Sequence, residues 1–102
     1  MRLSDMARVV RSKNAGPYLL TFDVLFDSIE TLERVRTAGR LTRDSVAAAY
    51  GVSPNEIIDF DYYPFANAVK FSIRRPHPSG SAADTDVYGA QQHVPLMMIE
   101  LD

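Results

Sequence analysis

The stretch Tyr18–Phe26 limits the folds open to this chain more than any other. Its even-numbered residues are all apolar, namely Tyr18, Leu20, Phe22, Val24 and Phe26. Thr21 and Asp23 stand among the odd positions, so the opposite side is partly wet. Successive side chains of a strand point to opposite faces, so this period of two predicts a half-buried β-strand. Such a strand needs a second layer to cover its apolar side.

The centre of the chain predicts helices that supply this layer. Ser28 opens a helix that runs to about Ala38, with apolar residues every three positions, acidic residues early and arginines late. Thr42 opens a second helix that ends at Gly51. Ser53–Glu56 then fits a capping box with proline in the first helical position, so a single further turn is expected.

The remaining segments predict a short first helix and more strands. The helix would run from Ser4 to about Ser12, where Asn14–Pro17 stops it. Strands are expected at Ile57–Tyr63 and Ala66–Arg74, with a short hairpin-like connection at Pro64-Phe65. A last strand is expected at Val94–Leu101, despite Pro95 near its start.

These elements predict an α+β fold with a mainly antiparallel sheet of three to four strands and helices on one face. The strand order stays open, and a ferredoxin-like order is one version. With 102 residues, 46% hydrophobic and 24% charged, the chain has the size and composition of a single globular domain, residues 1–102.

Charge and cysteine content exclude several function classes. The formal net charge of −2 lacks the basic excess of a nucleic-acid binder. The chain has no cysteine, so disulfides, thiolate metal sites and cysteine nucleophiles are excluded. The N-terminal residues lack the apolar core of a signal peptide, and no apolar run approaches the ~20 residues that span a bilayer. We expect a soluble cytoplasmic protein.

The segment Pro76–His93 has neither a helical nor a strand period. Loops beyond about 12–15 residues are uncommon in compact domains and are usually functional or disordered. This one ends in hydrogen-bonding side chains, namely Tyr88, Gln91, Gln92 and His93. It could pack over its own domain, form a surface that binds a partner or completes a partner's active site, or hold a metal or catalytic site. Metal candidates are His77, Asp84, Asp86 and His93, but their spacing matches no compact motif, so we expect no metal and no cofactor.

A second candidate site is Arg11–Pro17. Arg11 and Lys13 lie near a glycine that can adopt positive φ, so a carboxylate or phosphate could dock there, with Asn14 beside it. The alternative is a helix C-terminus, where basic side chains favour the helix dipole.

Both segments also carry a family resemblance. Arg11–Pro17 and Asp86–His93, together with Arg75-Pro76 and Pro78–Gly80, resemble the domain of unknown function 4387 family, and the similarity covers essentially the whole chain. The resemblance implies a bacterial protein encoded beside, or fused to, a larger protein of the acyclic terpene utilisation AtuA type. Those neighbourhoods concern the breakdown of branched acids and acyl-CoA compounds. The family offers no catalytic residue to transfer.

Three hypotheses follow. The first is a small accessory subunit or interaction domain of an AtuA-type complex, not catalytic on its own, with the two candidate segments facing the partner or its substrate. The second is a composite hydratase or hydro-lyase site, in which His93 is the general acid or base and Arg11 or Lys13 holds a substrate carboxylate. The third is a self-associating small-molecule binder, with Tyr62, Tyr63 and Phe65 as a dimer contact or as core.

Overall fold

A computed structural model describes residues 1–15, 19–74 and 94–101 of the chain. Two single 3-10 turns, Pro54–Glu56 and Pro64–Ala66, flank the third strand. The helices and strands, numbered in chain order, are α1 Leu3–Met6, β1 Val9–Asn14, β2 Leu19–Leu25, α2 Ile29–Ala38, α3 Arg43–Tyr50, β3 Ile57–Tyr63, β4 Ala68–Arg74 and α4 Val94–Met97.

The strands form one four-stranded sheet in the order β1-β2-β4-β3, and every neighbouring pair is antiparallel. This confirms the predicted α+β class and antiparallel sheet. Between α1 and α4 the described chain runs through two strands, two helices and two strands, and β2 and β4 form the central pair of the sheet. A ferredoxin-like order, which alternates strands with crossover helices, is not formed.

The apolar side of β2 forms the centre of the core, as its alternation predicted. Leu20, Phe22 and Val24 are buried, and the Phe22 ring stacks on Phe71 of β4 with 4.9 Å between ring centroids. Each of the four described helices adds at least one buried residue to this cluster, namely Leu3, Leu32, Val35, Val46, Ala47 and Leu96. The helices therefore all contribute to the same side of the sheet, which we call the inner face.

Local signals set the ends of the two longer helices, as predicted. The Ser28 side chain accepts a hydrogen bond from the Thr31 amide, and Thr42 and Ser45 form a reciprocal capping box at the start of α3. Gly39 and Gly51 end α2 and α3 in the left-handed region, which glycine adopts without steric cost. The expected capping box at Ser53 is wrong, since its side chain makes no cap hydrogen bond and Pro54 begins a 3-10 turn instead.

The first predicted helix is mostly wrong. The helix α1 ends at Met6, and residues 9–14 form β1, a strand along β2 in which Arg11 lies opposite Asp23 and Lys13 opposite Thr21. The helical reading rested on local spacing, whereas the strand is stabilised by pairing with a neighbour that begins five residues later. Tertiary pairing commonly overrides local propensity in this way.

The predicted last strand is also wrong. Val94–Met97 is a single helical turn, in which Pro95 is tolerated because the first-turn amides have no helical partner. Leu96 and Leu101 are buried in the core, and the only strand-like pairing described in 94–101 is an isolated bridge between Arg2 and Glu100. No helix among the described residues is long and apolar enough to cross a membrane.

Candidate functional site

The second side of the sheet, which we call the outer face, carries exposed charged and apolar side chains of the kind found at binding sites. Along β2 the odd-numbered residues are all partly exposed and lie outside the core cluster, while the even-numbered ones are buried. The strand registers align the outer-face residues of all four strands in rows that cross the sheet. Three of these rows differ sharply in chemistry.

The middle row consists of charges that alternate in sign. In sheet order it reads Arg11 on β1, Asp23 on β2, Lys70 on β4 and Asp61 on β3. The Arg11 Nη2 atom lies 3.4 Å from Asp23 Oδ2, and the Lys70 Nζ atom lies 3.9 Å from Asp23 Oδ1. Asp23 is the least exposed of these three, so one carboxylate positions two cations. We call these four residues the charged row.

The row on one side of it is apolar. It contains Val9, Leu25, Ala68 and Tyr63. Val9 and Tyr63 at the two sheet edges are exposed, whereas Ala68 is buried although it does not belong to the core cluster. The Lys70 Nζ atom lies 5.8 Å from the Tyr63 ring centroid, which links this apolar row to the charged row. Just beyond Tyr63, Phe65 projects fully exposed from the 3-10 turn.

The row on the other side is polar and basic except at its β3 end, where Ile58 is apolar. It contains Lys13, Thr21, Ser72 and Ile58. The hydroxyls of Thr21 and Ser72 are hydrogen-bonded at 3.0 Å. A shallow depression of about 300 Å³ lies at the β1 edge of this row, lined by Arg11, Ser12, Lys13, Thr21 and Asp23.

A family model described as "Domain of unknown function (DUF4387)" matches residues 3–100. The chain belongs to the DUF4387 family. No curated protein and no solved structure matches it.

The predicted binding residues of this DUF4387 protein that are described all lie on β1. Arg11, Lys13 and Asn14 are exposed, and strand alternation puts Arg11 and Lys13 together on the outer face with Asn14 on the opposite side. The helix-dipole explanation for these cations is wrong, because no helix ends there. The other predicted residues lie outside the described residues and stay predictions, namely His77, Asp84, Asp86, Tyr88, Gln91, Gln92 and His93. Within the described ranges no three His, Cys, Asp or Glu side chains are grouped to hold a metal.

The aromatic residues of β3 and its turn divide between the two faces. Tyr62 points inward, where its hydroxyl donates a 2.7 Å hydrogen bond to the Leu41 carbonyl. Burial raises the pKa of Tyr62 to about 12, although the nearby Arg36 opposes the shift. Tyr63 and Phe65 are exposed, as a contact surface requires.

Sequence reasoning did not identify Asp23, Lys70 and Asp61 as site residues. The period of two in β2 does put Asp23 on the wet side, which is the only local signal for it. Lys70 and Asp61 join it through pairings with strands some 40–50 residues further along the chain, and no local pattern encodes those registers.

An apolar groove of about 600 Å³ lies elsewhere, between α2 and the two ends of the described chain. Met6, Val35, Ala38 and Leu101 contribute its apolar lining, and Glu30, Glu33 and Arg34 are among its polar lining residues. We call it the terminal groove. Its lining comes from α1, α2 and the C-terminal segment, none of which belongs to the outer face.

Proposed function

We propose that this DUF4387 protein is a small accessory subunit whose outer face is a protein-binding surface within a larger assembly. The larger protein is of the AtuA type, acting in branched-acid or acyl-CoA catabolism, as the family resemblance implies. The resemblance also implies a bacterial protein, and the proposal puts the assembly in the cytoplasm. The small chain contributes binding rather than a reaction of its own.

The observation that carries the proposal is the apolar row beside the charged row on one face. Protein interfaces combine an apolar patch with a polar rim, and the charges set specificity and the rate of encounter more than they set affinity. Val9 and Tyr63 expose apolar surface that would be better covered, while Arg11, Asp23 and Lys70 are already held in place by mutual ion pairs. Such preorganised charges reduce the entropy that binding would otherwise cost.

Co-purification with an AtuA-type protein from the same genome tests the proposal. We expect the untagged wild-type chain to co-elute with the tagged larger protein. A variant with Arg11→Glu and Lys13→Glu should co-elute less, because its dissociation constant for the larger protein should rise about tenfold or more, equivalent to ~1.4 kcal/mol. The matched control, Arg40→Glu with Arg43→Glu, makes the same charge change at exposed positions near the start of α3 and should co-elute like the wild type.

Two outcomes would contradict the proposal. One is no co-elution of the wild-type chain at micromolar concentration. The other is equal co-elution of the outer-face and control variants, which would mean that the outer face has no part in the assembly.

The composite hydratase site is a second candidate, supported by the depression beside Arg11 and Lys13. Paired cations there would hold a substrate carboxylate, since charge-assisted hydrogen bonds to carboxylates are strong. His93 would then transfer the proton as the general acid or base. In the assembled complex, His93→Ala should abolish turnover without loss of assembly, and normal turnover would contradict this candidate.

A further inference from the structure

We propose that a second copy of this chain covers the outer face, so that two sheets pack face to face about a two-fold axis. The inference rests on the proposed function in one respect, namely that the outer face is a protein interface. It adds the identity of the occupant and the geometry of its docking. The order of charges across the sheet supports it.

The charged row is self-complementary. From β1 to β3 its signs run plus, minus, plus, minus, so the row read backwards has every sign reversed. A two-fold axis parallel to the strands, between β2 and β4, places β1 of one copy over β3 of the other and β2 over β4. Arg11 then faces Asp61 of the second copy, and Asp23 faces Lys70 of the second copy. Symmetry repeats each of these contacts, so every charge in the row meets an opposite charge.

The alternative two-fold orientation fails on the same charges. An axis across the strands, along the charged row, would place each strand over its own copy. Arg11 would face Arg11 of the second copy, and Asp23 would face Asp23. Like charges brought face to face in this way repel each other and disfavour this orientation. The row therefore selects one of the two simple ways of stacking the sheets.

The apolar row fits the same axis by size. Leu25 of β2 comes to lie over Ala68 of β4 in the second copy, so a large side chain meets a small one in both halves of the interface. Val9 comes to lie over Tyr63 of the second copy, which covers the two exposed apolar residues of that row at once. Stacked sheets pack about 10 Å apart, a spacing that both sets of side chains fill together.

The two rows contribute differently. Ion pairs taken out of water between the sheets add little net affinity, because the cost of desolvation offsets their attraction, so the apolar row supplies most of the association energy. The charged row determines which orientation forms. A foreign protein would need the same four charges in reverse order, whereas this chain already carries them. Two-fold dimers are also the commonest form of homo-oligomer. In the larger assembly the pair, rather than the single chain, would be the unit that the larger protein binds, so outer-face variants that break the pair would also lose co-elution.

Complementary charge reversals at the central pair test this geometry. Lys70→Glu and Asp23→Lys each make the central contact like-charged when a variant pairs with itself. Mixing the two variants makes one central contact normal and the other reversed but still complementary. Sedimentation or light scattering at several concentrations should show a dimer for the wild type, a dissociation constant raised about tenfold or more for each variant alone, and a restored mixed dimer. Arg43→Glu on α3 should leave the dimer unchanged.

Circular dichroism and thermal melting of each variant separate loss of pairing from loss of folding, since each reversal also puts like charges together within one chain. Restoration in the mixture is the decisive readout, because a folding defect in either chain would not be repaired by the other. A wild-type chain that stays monomeric up to submillimolar concentration would overturn the inference. So would a mixture no more dimeric than its components.

The two proposals fail separately. The wild-type chain could be monomeric and co-elute with the larger protein, while the Arg11→Glu, Lys13→Glu variant does not co-elute. That result would leave the accessory function intact and contradict the second copy. A dimer with the charge behaviour described, but without co-elution of any AtuA-type protein, would support the second copy and contradict the accessory function.

Discussion

The inner and outer faces of the sheet are built from alternate residues of the same strands, yet they differ in almost every physical respect. Phe22 is fully buried and stacks on Phe71, whereas the next residue, Asp23, is a carboxylate between two cations. The inner face is covered by the four short helices of the described residues. The outer face keeps its apolar and charged residues in separate rows. One face therefore supplies the stability of the fold, and the other carries the residues that we propose for association.

Truncation of the core on the inner face should have the largest effect on stability. Phe22→Ala removes a buried ring from the centre of the core and should lower the free energy of unfolding by about 3–5 kcal/mol. Leu25→Ala, three residues away on the half-buried outer face, should cost less than half as much in the monomer. Urea unfolding at a concentration where the chain is monomeric measures both.

Equal losses of unfolding free energy in the two variants would contradict the conclusion that the inner face supplies the stability of the fold. The same Leu25→Ala variant should weaken self-association, because Leu25 lies in the apolar row. Phe22→Val, a smaller truncation at the inner position, keeps the comparison measurable if the alanine variant does not fold.

The residues that the sequence predicted well are those whose signals are local. The strand β2 follows from strict alternation, and α2 and α3 follow from caps at Ser28 and Thr42 with glycine stops at Gly39 and Gly51. The sequence predicts a helix in place of the first strand because Met6, Val9 and Val10 recur at a helical spacing. Its identity depends on pairing with β2, which no window of β1 alone contains.

The site was predicted in part for a related reason. Arg11 and Lys13 were identified as candidate binding residues, and both lie on the outer face, but on a strand rather than at a helix end. The other residues of the charged row come from β2, β3 and β4. Recognising the charged row requires the register of three strand pairs, and the β3–β4 register shifts at the bulge between Ile58 and Asp61.

Weakening only the helical layer over the inner face should leave the outer face unchanged. Thr42→Ala removes the side chain that accepts a hydrogen bond from the Ser45 amide, and should lower the free energy of unfolding by about 1 kcal/mol. Ser53→Ala is the matched control, since Ser53 precedes a turn without capping it and should change stability little. Neither variant should change self-association, and a dimer weakened by Thr42→Ala would show that the faces are coupled.

The smallest expected effect compares two neighbouring tyrosines that point to opposite faces. Tyr62→Phe removes the hydroxyl that donates to the Leu41 carbonyl, at a cost of about 0.5–1 kcal/mol in unfolding free energy. Tyr63→Phe on the exposed side should cost the monomer almost nothing. Chemical unfolding near neutral pH measures both differences.

The pH dependence of that difference provides a further test with a definite sign. Burial raises the folded-state pKa of Tyr62 from its ordinary value of 10.0 to about 12. The folded chain therefore holds this proton more tightly than the unfolded chain, so the contribution of Tyr62 to stability is complete below pH 10 and is lost as the pH rises through about 12. The free energy of unfolding of the wild type minus that of Tyr62→Phe should therefore decrease across that window. Burial raises the pKa of Tyr50 as well, but Tyr50 is present in both proteins and cancels in the comparison. A difference in unfolding free energy that stays constant or increases above pH 10 would mean that the Tyr62 hydroxyl is not protected by the inner layer.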